Sequence, residues 1–376
     1  MNTIPFNKPY VTGNELKYIQ EAILRGKISG DGSFTEKCHR FFEEKYGFKK
    51  ALLTTSCTNA LEMAAILIDT QPGDEIIMPA YTFASTANAF ALRGANIIFA
   101  DCESKRPNID ADAIEALITS KTKAIVVVHY AGIACDMDRI KQIADKHSLY
   151  VIEDAAQSVD SYYKDRPLGS LGDLSAFSFH ETKNIISGEG GMLIINDEDF
   201  IERAEIIREK GTNRSKFIRG EIDKYNWVDI GSSFLPSDMI AAFLYAQLES
   251  IETIQKKRKE LWVVYYNGLK ELENAGHISL PAIPVYATNN AHTFYLATNT
   301  GDEMKALLKH LKQAGIKAAF HFLSLHKSPF FTGKSNPQSL PNADHFTDCL
   351  LRLPLYFELT ESDQKRVIDS VRKFYA

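Results

Sequence analysis

Between residues 75 and 195 the chain repeats one pattern, a short continuous apolar run followed by a turn or an amphipathic stretch. Glu75–Pro79, Asn96–Asp101, Ala124–His129, Leu149–Asp154, Ala176–Phe179 and Gly191–Ile195 read as strands. Several of these runs are apolar throughout instead of alternating with polar residues. Both faces of the sheet must then be buried, as in a largely parallel sheet covered by helices. Thr58–Leu67, Thr86–Arg93 and Asp136–His147 carry helical spacing between the strands. The fold class this predicts is α/β. Ligands of such sheets sit at the carboxyl ends of the strands. Tyr81, Asp101, His129, Asp154 and Lys183 all fall just after such ends.

A chain of 376 residues is long enough for two domains. From Glu249 to Asn274 the pattern becomes one long helix, and Pro281, Pro284 and Asn289-Asn290 then punctuate the chain. The expected division is a large domain over 1–248 and a smaller α/β domain over 249–376. The net charge of −5 lacks the basic surplus of a nucleic-acid protein. No run approaches the ~18 apolar residues of a membrane helix. The segment Met1–Phe6 lacks the basic and apolar regions of a secretory signal. Five cysteines scattered singly suggest reduced thiols, with neither disulfides nor a metal site. A cytoplasmic protein with no membrane and no nucleic-acid partner is expected.

The chemistry-bearing pair is Asp154, ending one strand, and Lys183, just past the next. A pyridoxal phosphate enzyme needs this combination. The amine attaches the cofactor covalently, and the carboxylate keeps the ring nitrogen protonated. Each residue has a plainer reading. Lysine is most often a surface residue, and aspartate after a strand is often a helix cap. Against the first stands the aromatic strand before Lys183 and the glycine-rich Ser187–Gly191 after it. Gln157 is placed to reach a ring oxygen, or to act as a capping-box partner of Asp154. Thr54–Ala60 crowds hydroxyls and Cys57 at a helix start, which suits a phosphate. Ser178, a polar residue in an apolar strand, supplies one more hydroxyl. Phe83 is either a ring-stacking aromatic or a core residue. His129 either packs near the cofactor ring or is a hydrogen-bonded core histidine. Arg208–Gly220 carries five cations against one acid. It reads as a solvated face, or as a glycine-bounded loop that clamps a diphosphate.

Together these motifs resemble the DegT/DnrJ/EryC1/StrS family of sugar aminotransferases, over nearly the whole length. The resemblance rests on Ile4-Pro5-Phe6, Ser29-Gly30-Asp31-Gly32, Pro72-Gly73-Asp74-Glu75, Glu153–Gln157, Ser178–Asn184 and Leu353-Pro354-Leu355. It implies a fold type I pyridoxal-phosphate aminotransferase with a mostly parallel seven-stranded sheet. Phe179–Asn184, Arg208–Ser215 and Asp229–Ser233 look most like the members that make dTDP-4-amino-4,6-dideoxygalactose. The implied reaction is amination of a dTDP-linked 4-keto-6-deoxy sugar by L-glutamate, in a homodimer with shared active sites. The implied catalytic residues are Lys183 and Asp154. Ser56, Cys57, Thr58 and Ser178 would hold the phosphate, Phe83 would stack on the ring, and Gln157 would meet its hydroxyl. Arg214, Lys216, Arg219, His129 and Tyr225 are the candidate substrate contacts. The chain departs from the family at Cys57, where Gly is usual. It departs again at Gly231–Leu235, where many members carry Gly-x-Asn-Tyr-Arg. The asparagine's contact to the partner's phosphate would fall to Ser233, and the arginine has no counterpart.

Other classes fit less well. A dehydrating branch of the family has histidine in place of Lys183. A Rossmann oxidoreductase needs its glycine fingerprint after the first strand, and the cluster around Gly188 follows other elements. A silent binding protein on this fold has no reason to keep both Lys183 and Asp154. A C3-aminating enzyme, or one giving the other configuration at C4, stays open.

Overall fold

The computed structural model describes residues 2–332 and 339–376. Its main sheet contains β1 (Lys50–Thr54), β2 (Glu75–Pro79), β3 (Asn96–Ala100), β4 (Thr122–Val128) and β5 (Tyr150–Asp154). A small hairpin, β6 (Tyr162–Tyr163) and β7 (Arg166–Pro167), intervenes before β8 (Leu174–Ser178) and β9 (Gly191–Ile195) complete it. The strand order is β1-β9-β8-β5-β4-β2-β3. Neighbours from β3 to β8 pair parallel, and β9 runs antiparallel to both β8 and β1. β1 therefore points the same way as β8. One edge of the sheet collects Thr54, Pro79, Val128, Asp154 and Ser178, with Gly191 opposite both Thr54 and Ser178.

The apolar runs have the physical basis the sequence implies. In β4 and β5, Val126 and Ile152 join the core beneath the helix Cys57–Leu67. Ile125, Val127 and Val151 join the opposite core beneath the helix Met137–His147. Two apolar layers leave no face for polar residues. β1 is a strand that the apolar pattern does not predict. Its buried run Ala51–Leu53 is short and merges into the hydroxyl cluster that follows.

Helix Asp238–Glu249 breaks at Ser250 and helix Ile251–Asn274 begins. Beyond it lies a three-stranded antiparallel sheet, β10 (Ile278–Ser279), β11 (Phe294–Thr298) and β12 (Leu350–Leu353). One face of this sheet builds a separate core with Leu261, Tyr265, Leu307 and Val367. Ile4 joins that core, its amide bonded to Gly315 O at 2.9 Å. The first residues thus pack with the C-terminal unit. On the other face, Tyr295 and Leu350 reach the core of the large sheet. Among the described residues no helix is long and apolar enough to cross a membrane.

Candidate active site

A cavity of about 800 Å³ opens at the collecting edge of the large sheet. Ser56, Thr58, Asp154, Gln157, Ser178 and Lys183 line it from the sheet side; His292, His321, Phe322 and Arg352 line it from the C-terminal unit.

Lys183 sits in the turn between β8 and β9, its amide bonded to His180 O at 2.9 Å. Its side chain faces the cavity and has no hydrogen-bond partner among the described residues. Burial lowers its pKa, against the opposing pull of Cys57 and Asp154. Burial thus favours the uncharged amine, the form that nucleophilic attachment and proton transfer use. The next residue anchors the turn. Asn184 donates to Gln255 Oε1 and to Asn290 O, both at 2.8 Å. Its Oδ1 must then accept from His292 Nδ1, 3.0 Å away, which leaves the His292 Nε2 lone pair toward the cavity.

Asp154 is 6% exposed at the end of β5. Oδ2 accepts from Thr86 at 2.7 Å and Oδ1 from the Ala156 amide at 3.2 Å. Thr86 spends its only proton on Asp154, so Thr82, 2.8 Å away, donates to Thr86 in turn. Burial raises the Asp154 pKa, and the bonds from Thr86 and Ala156 oppose that shift. No helix follows Asp154, so it is not a helix cap. Gln157 Oε1 accepts from the Ala131 amide at 2.7 Å, which leaves its nitrogen free of any described partner at the cavity wall.

The helix Cys57–Leu67 begins at the cavity, with Ser56 as its cap accepting from the Asn59 amide at 3.1 Å. The Cys57 and Thr58 amides have no described acceptor, as first-turn donors do not. Thr58 donates to Ser85 at 2.8 Å, where the helix Ala84–Ala91 starts. Two helix starts thus face one space. A Cβ on Gly191 would lie 2.2 Å from the Ser56 carbonyl carbon and 2.3 Å from the Cys57 nitrogen. Only glycine lets β9 come this close. Unpaired amides, capping hydroxyls and the positive helix end fit a phosphate. A buried carboxylate and a free amine fit the pyridine ring and its aldehyde. The residues present therefore suit pyridoxal phosphate. Phe83 is 61% exposed at this wall, so it is not a core phenylalanine.

Other expected contacts lie elsewhere. His129 is fully buried and does not line the cavity. Its Nε2 meets Glu153 at 2.8 Å, and its Nδ1 accepts from the Cys135 amide at 3.2 Å. Glu153 also receives the Gly169, Leu171 and Gly172 amides at 2.6–2.8 Å. The pair braces the loop after β5 from below, which is the hydrogen-bonded core reading of His129.

The basic segment is not the irregular loop its glycines suggest. Arg214–Ile218 forms a turn of helix. Arg208 is buried, bound to Leu53 O and Asp31 at 2.8 Å each. Arg214 meets Glu209 at 3.1 Å, Lys216 meets Glu202 at 2.6 Å, and Arg219 meets Glu205 at 2.8 Å. Such surface pairs contribute roughly 0–1 kcal/mol and do not commit the cations. Arg214, Lys216, Arg219, Tyr225 and Ser233 do not line the cavity of their own chain. Tyr225 is 48% exposed, and Ser233 is exposed beside Glu209.

Sequence reasoning missed Thr86, His292, His321 and Arg352. Arg352 was the visible one, a cation inside the apolar run Leu350–Leu355.

Residues 9–372 match the DegT/DnrJ/EryC1/StrS aminotransferase family. The spore coat polysaccharide biosynthesis protein SpsC of Bacillus subtilis is 32% identical, over 98% of this chain and 96% of its own. The aminotransferase TlmJ from Streptoalloteichus hindustanus superposes with a TM-score of 0.92 at 27% identity, over 100% of this chain and 99% of its own. Spr1654 of Streptococcus pneumoniae, solved in its PLP form, gives a TM-score of 0.90 at 25% identity, over 99% and 98%.

Proposed function

The chain belongs to the DegT/DnrJ/EryC1/StrS aminotransferase family, whose aminotransferases use pyridoxal phosphate, and on that premise we propose its reaction. It transfers an amino group from L-glutamate to C4 of dTDP-4-keto-6-deoxyglucose, giving dTDP-4-amino-4,6-dideoxygalactose for a surface polysaccharide. The observation that carries the reading is the unpaired side chain of Lys183 sharing a cavity with the buried side chain of Asp154.

Pyridoxal phosphate, when bound, supplies an aldehyde that carries the amino group between substrates and a ring that accepts electrons from the bond being broken. The protein supplies the rest. Cys57 and Thr58 amides, with the Ser56, Thr58 and Ser178 hydroxyls, hold the phosphate. Asp154, whose anion the Thr86 bond favours, would hold the ring nitrogen protonated. Gln157 donates to the ring oxygen, and Phe83 covers one ring face. Lys183 attaches the cofactor at rest. Released, its Nζ takes the proton from the donor's α-carbon and later delivers one to C4 of the sugar. The face it works from fixes the configuration of the new amine.

We place each active site between two copies of the chain. Arg214, Lys216, Arg219 and Tyr225 then serve the partner's substrate diphosphate, and Ser233 the partner's phosphate. Supporting this, the segment carries cations clear of its own cavity beside exposed Phe217, Ile218, Trp227 and Val228. Apolar groups clustered at a surface mark an interface.

The test is product analysis after incubation with dTDP-4-keto-6-deoxyglucose and L-glutamate. The expected product carries an axial amine at C4. An amine at C3, an equatorial amine at C4, or no amination would refute the proposed reaction.

A further inference from the structure

We infer that Arg352 is the anchor for a carboxylate of the amino donor, a step that rests on the aminotransferase reading above. β12 sends Leu351 and Leu353 into the C-terminal core. Leu350 and Arg352 take the other face, Leu350 against the large sheet and Arg352 at the cavity wall. An apolar strand facing two cores has no structural need for a guanidinium there.

Among the described residues, the other buried arginines each meet a carboxylate or two carbonyls, although Nη2 of Arg208 is buried without a partner. Arg106 meets Glu103 at 2.8 Å, Arg208 meets Asp31 at 2.8 Å, and Arg258 donates to the Ala291 and His292 carbonyls. Arg352 has a single acceptor, Phe320 O at 3.0 Å. Its Nε is buried without a partner, and its Nη1 has none among the described residues. The Phe6 ring lies 4.7 Å from the guanidinium carbon. An aromatic face and one carbonyl hold the group in place, while two of its nitrogens wait for an acceptor.

Among the described residues no carboxylate pairs with it, and Glu189, an acid at the same cavity, faces His180 at 3.7 Å. Its cavity neighbours are the Lys183 amine and the imidazoles of His292 and His321, both held neutral by burial. The buried acid lining the site, Asp154, is engaged with Thr86 and Ala156. A half-buried cation without an anion is unfavourable, so this wall is built to receive one.

The donor's carboxylate is the anion that fits. The phosphate already has its amides at the start of the helix Cys57–Leu67. The sugar's diphosphate is separated from the reacting C4 by the whole pyranose ring. An amino acid's α-carboxylate is one carbon from the amine that must reach the position of Lys183, and Arg352 is close enough to act on the charge of Lys183. A planar guanidinium matches a carboxylate's two oxygens. Donor and sugar occupy the cavity in turn, so Arg352 serves the first half-reaction and stands free in the second.

The experiment compares Arg352→Gln and Arg352→Lys with wild type in three measurements. The first two are single-turnover rates of the L-glutamate half-reaction and of the sugar half-reaction. The third is calorimetric binding of glutarate, a dicarboxylate without an amine, to the cofactor-loaded protein. Arg352→Gln should lower kcat/KM for L-glutamate roughly tenfold to a hundredfold, weaken glutarate to match, and leave the sugar half within about threefold. Arg352→Lys should recover part of the loss. An equal fall in both half-reactions, a rise only in the sugar nucleotide's KM, or unchanged glutarate binding would overturn the assignment. A wild-type protein that aminates no keto sugar, yet binds glutarate through Arg352, would sink the proposed reaction and leave the carboxylate site standing.

Discussion

The Thr86 hydroxyl donates to Asp154 Oδ2 at 2.7 Å, and through that bond the helix Ala84–Ala91 holds the charge at the end of β5. Burial pushes the Asp154 carboxyl above its ordinary range, and Thr86 is the largest opposing influence. A carboxylate with a raised pKa is ionised above that pKa and lost as pH falls through it. Loss of that charge sets the acid limb of amino transfer. Thr86→Val removes the bond that favours the anion and should move this limb upward by roughly one pH unit. A pH profile of the glutamate half-reaction checks it, and an unmoved limb would separate Thr86 from the charge.

Asp154→Asn keeps the shape and the turn contact to Ala156 but removes the charge. The amino-transfer rate should fall by at least ~100-fold. Single-turnover kinetics with saturating cofactor make the comparison. A loss of only a few fold would mean that Asp154 merely shapes the turn after β5.

Gly191→Ala puts a methyl 2.2 Å from the Ser56 carbonyl carbon. Backbone on both sides blocks an easy retreat, so the start of the helix Cys57–Leu67 must shift. We expect about 1–3 kcal/mol of lost stability, as for an overpacked core, together with weaker cofactor binding. Denaturant unfolding and cofactor titration report the two effects separately. Wild-type cofactor affinity in this variant would show that the phosphate is held elsewhere.

Arg214→Ala, Lys216→Ala and Arg219→Ala address the basic segment. If it clamps the diphosphate across a dimer interface, KM for the sugar nucleotide rises about tenfold or more. The glutamate half-reaction stays near wild type, because glutamate does not use this segment. Mixing a chain altered here with a Lys183→Ala chain should restore some activity, since one of the mixed sites is then intact. Failure to complement, or equal losses in both half-reactions, would make the segment a solvated face.

Much of this arrangement is readable from residue order because strand ends and helix starts are local features. Asp154 and Lys183 each end an apolar run, and Ser56–Thr58 open a helix, so parallel pairing brings them to one edge without further information. Contacts made across the sheet or between units leave weaker local traces. Thr86 is an ordinary helix threonine until β2 and β5 set it beside Asp154. His129 follows a strand as Asp154 does, yet its ring turns to Glu153 beneath the edge, a choice made by the loop amides of Gly169–Gly172. The glycines around Arg214 suggest an irregular loop, but glutamates of the preceding helix, Glu202 and Glu205, pair with Lys216 and Arg219 and favour a helical turn.

The most direct test of the account is covalent. The cofactor-loaded protein is reduced with borohydride, digested, and its peptides mapped by mass spectrometry. A single pyridoxyl-modified residue, Lys183, is expected, with no label in Lys183→Ala. A label on another lysine, or none in a wild-type protein that turns over substrate, would contradict this expectation.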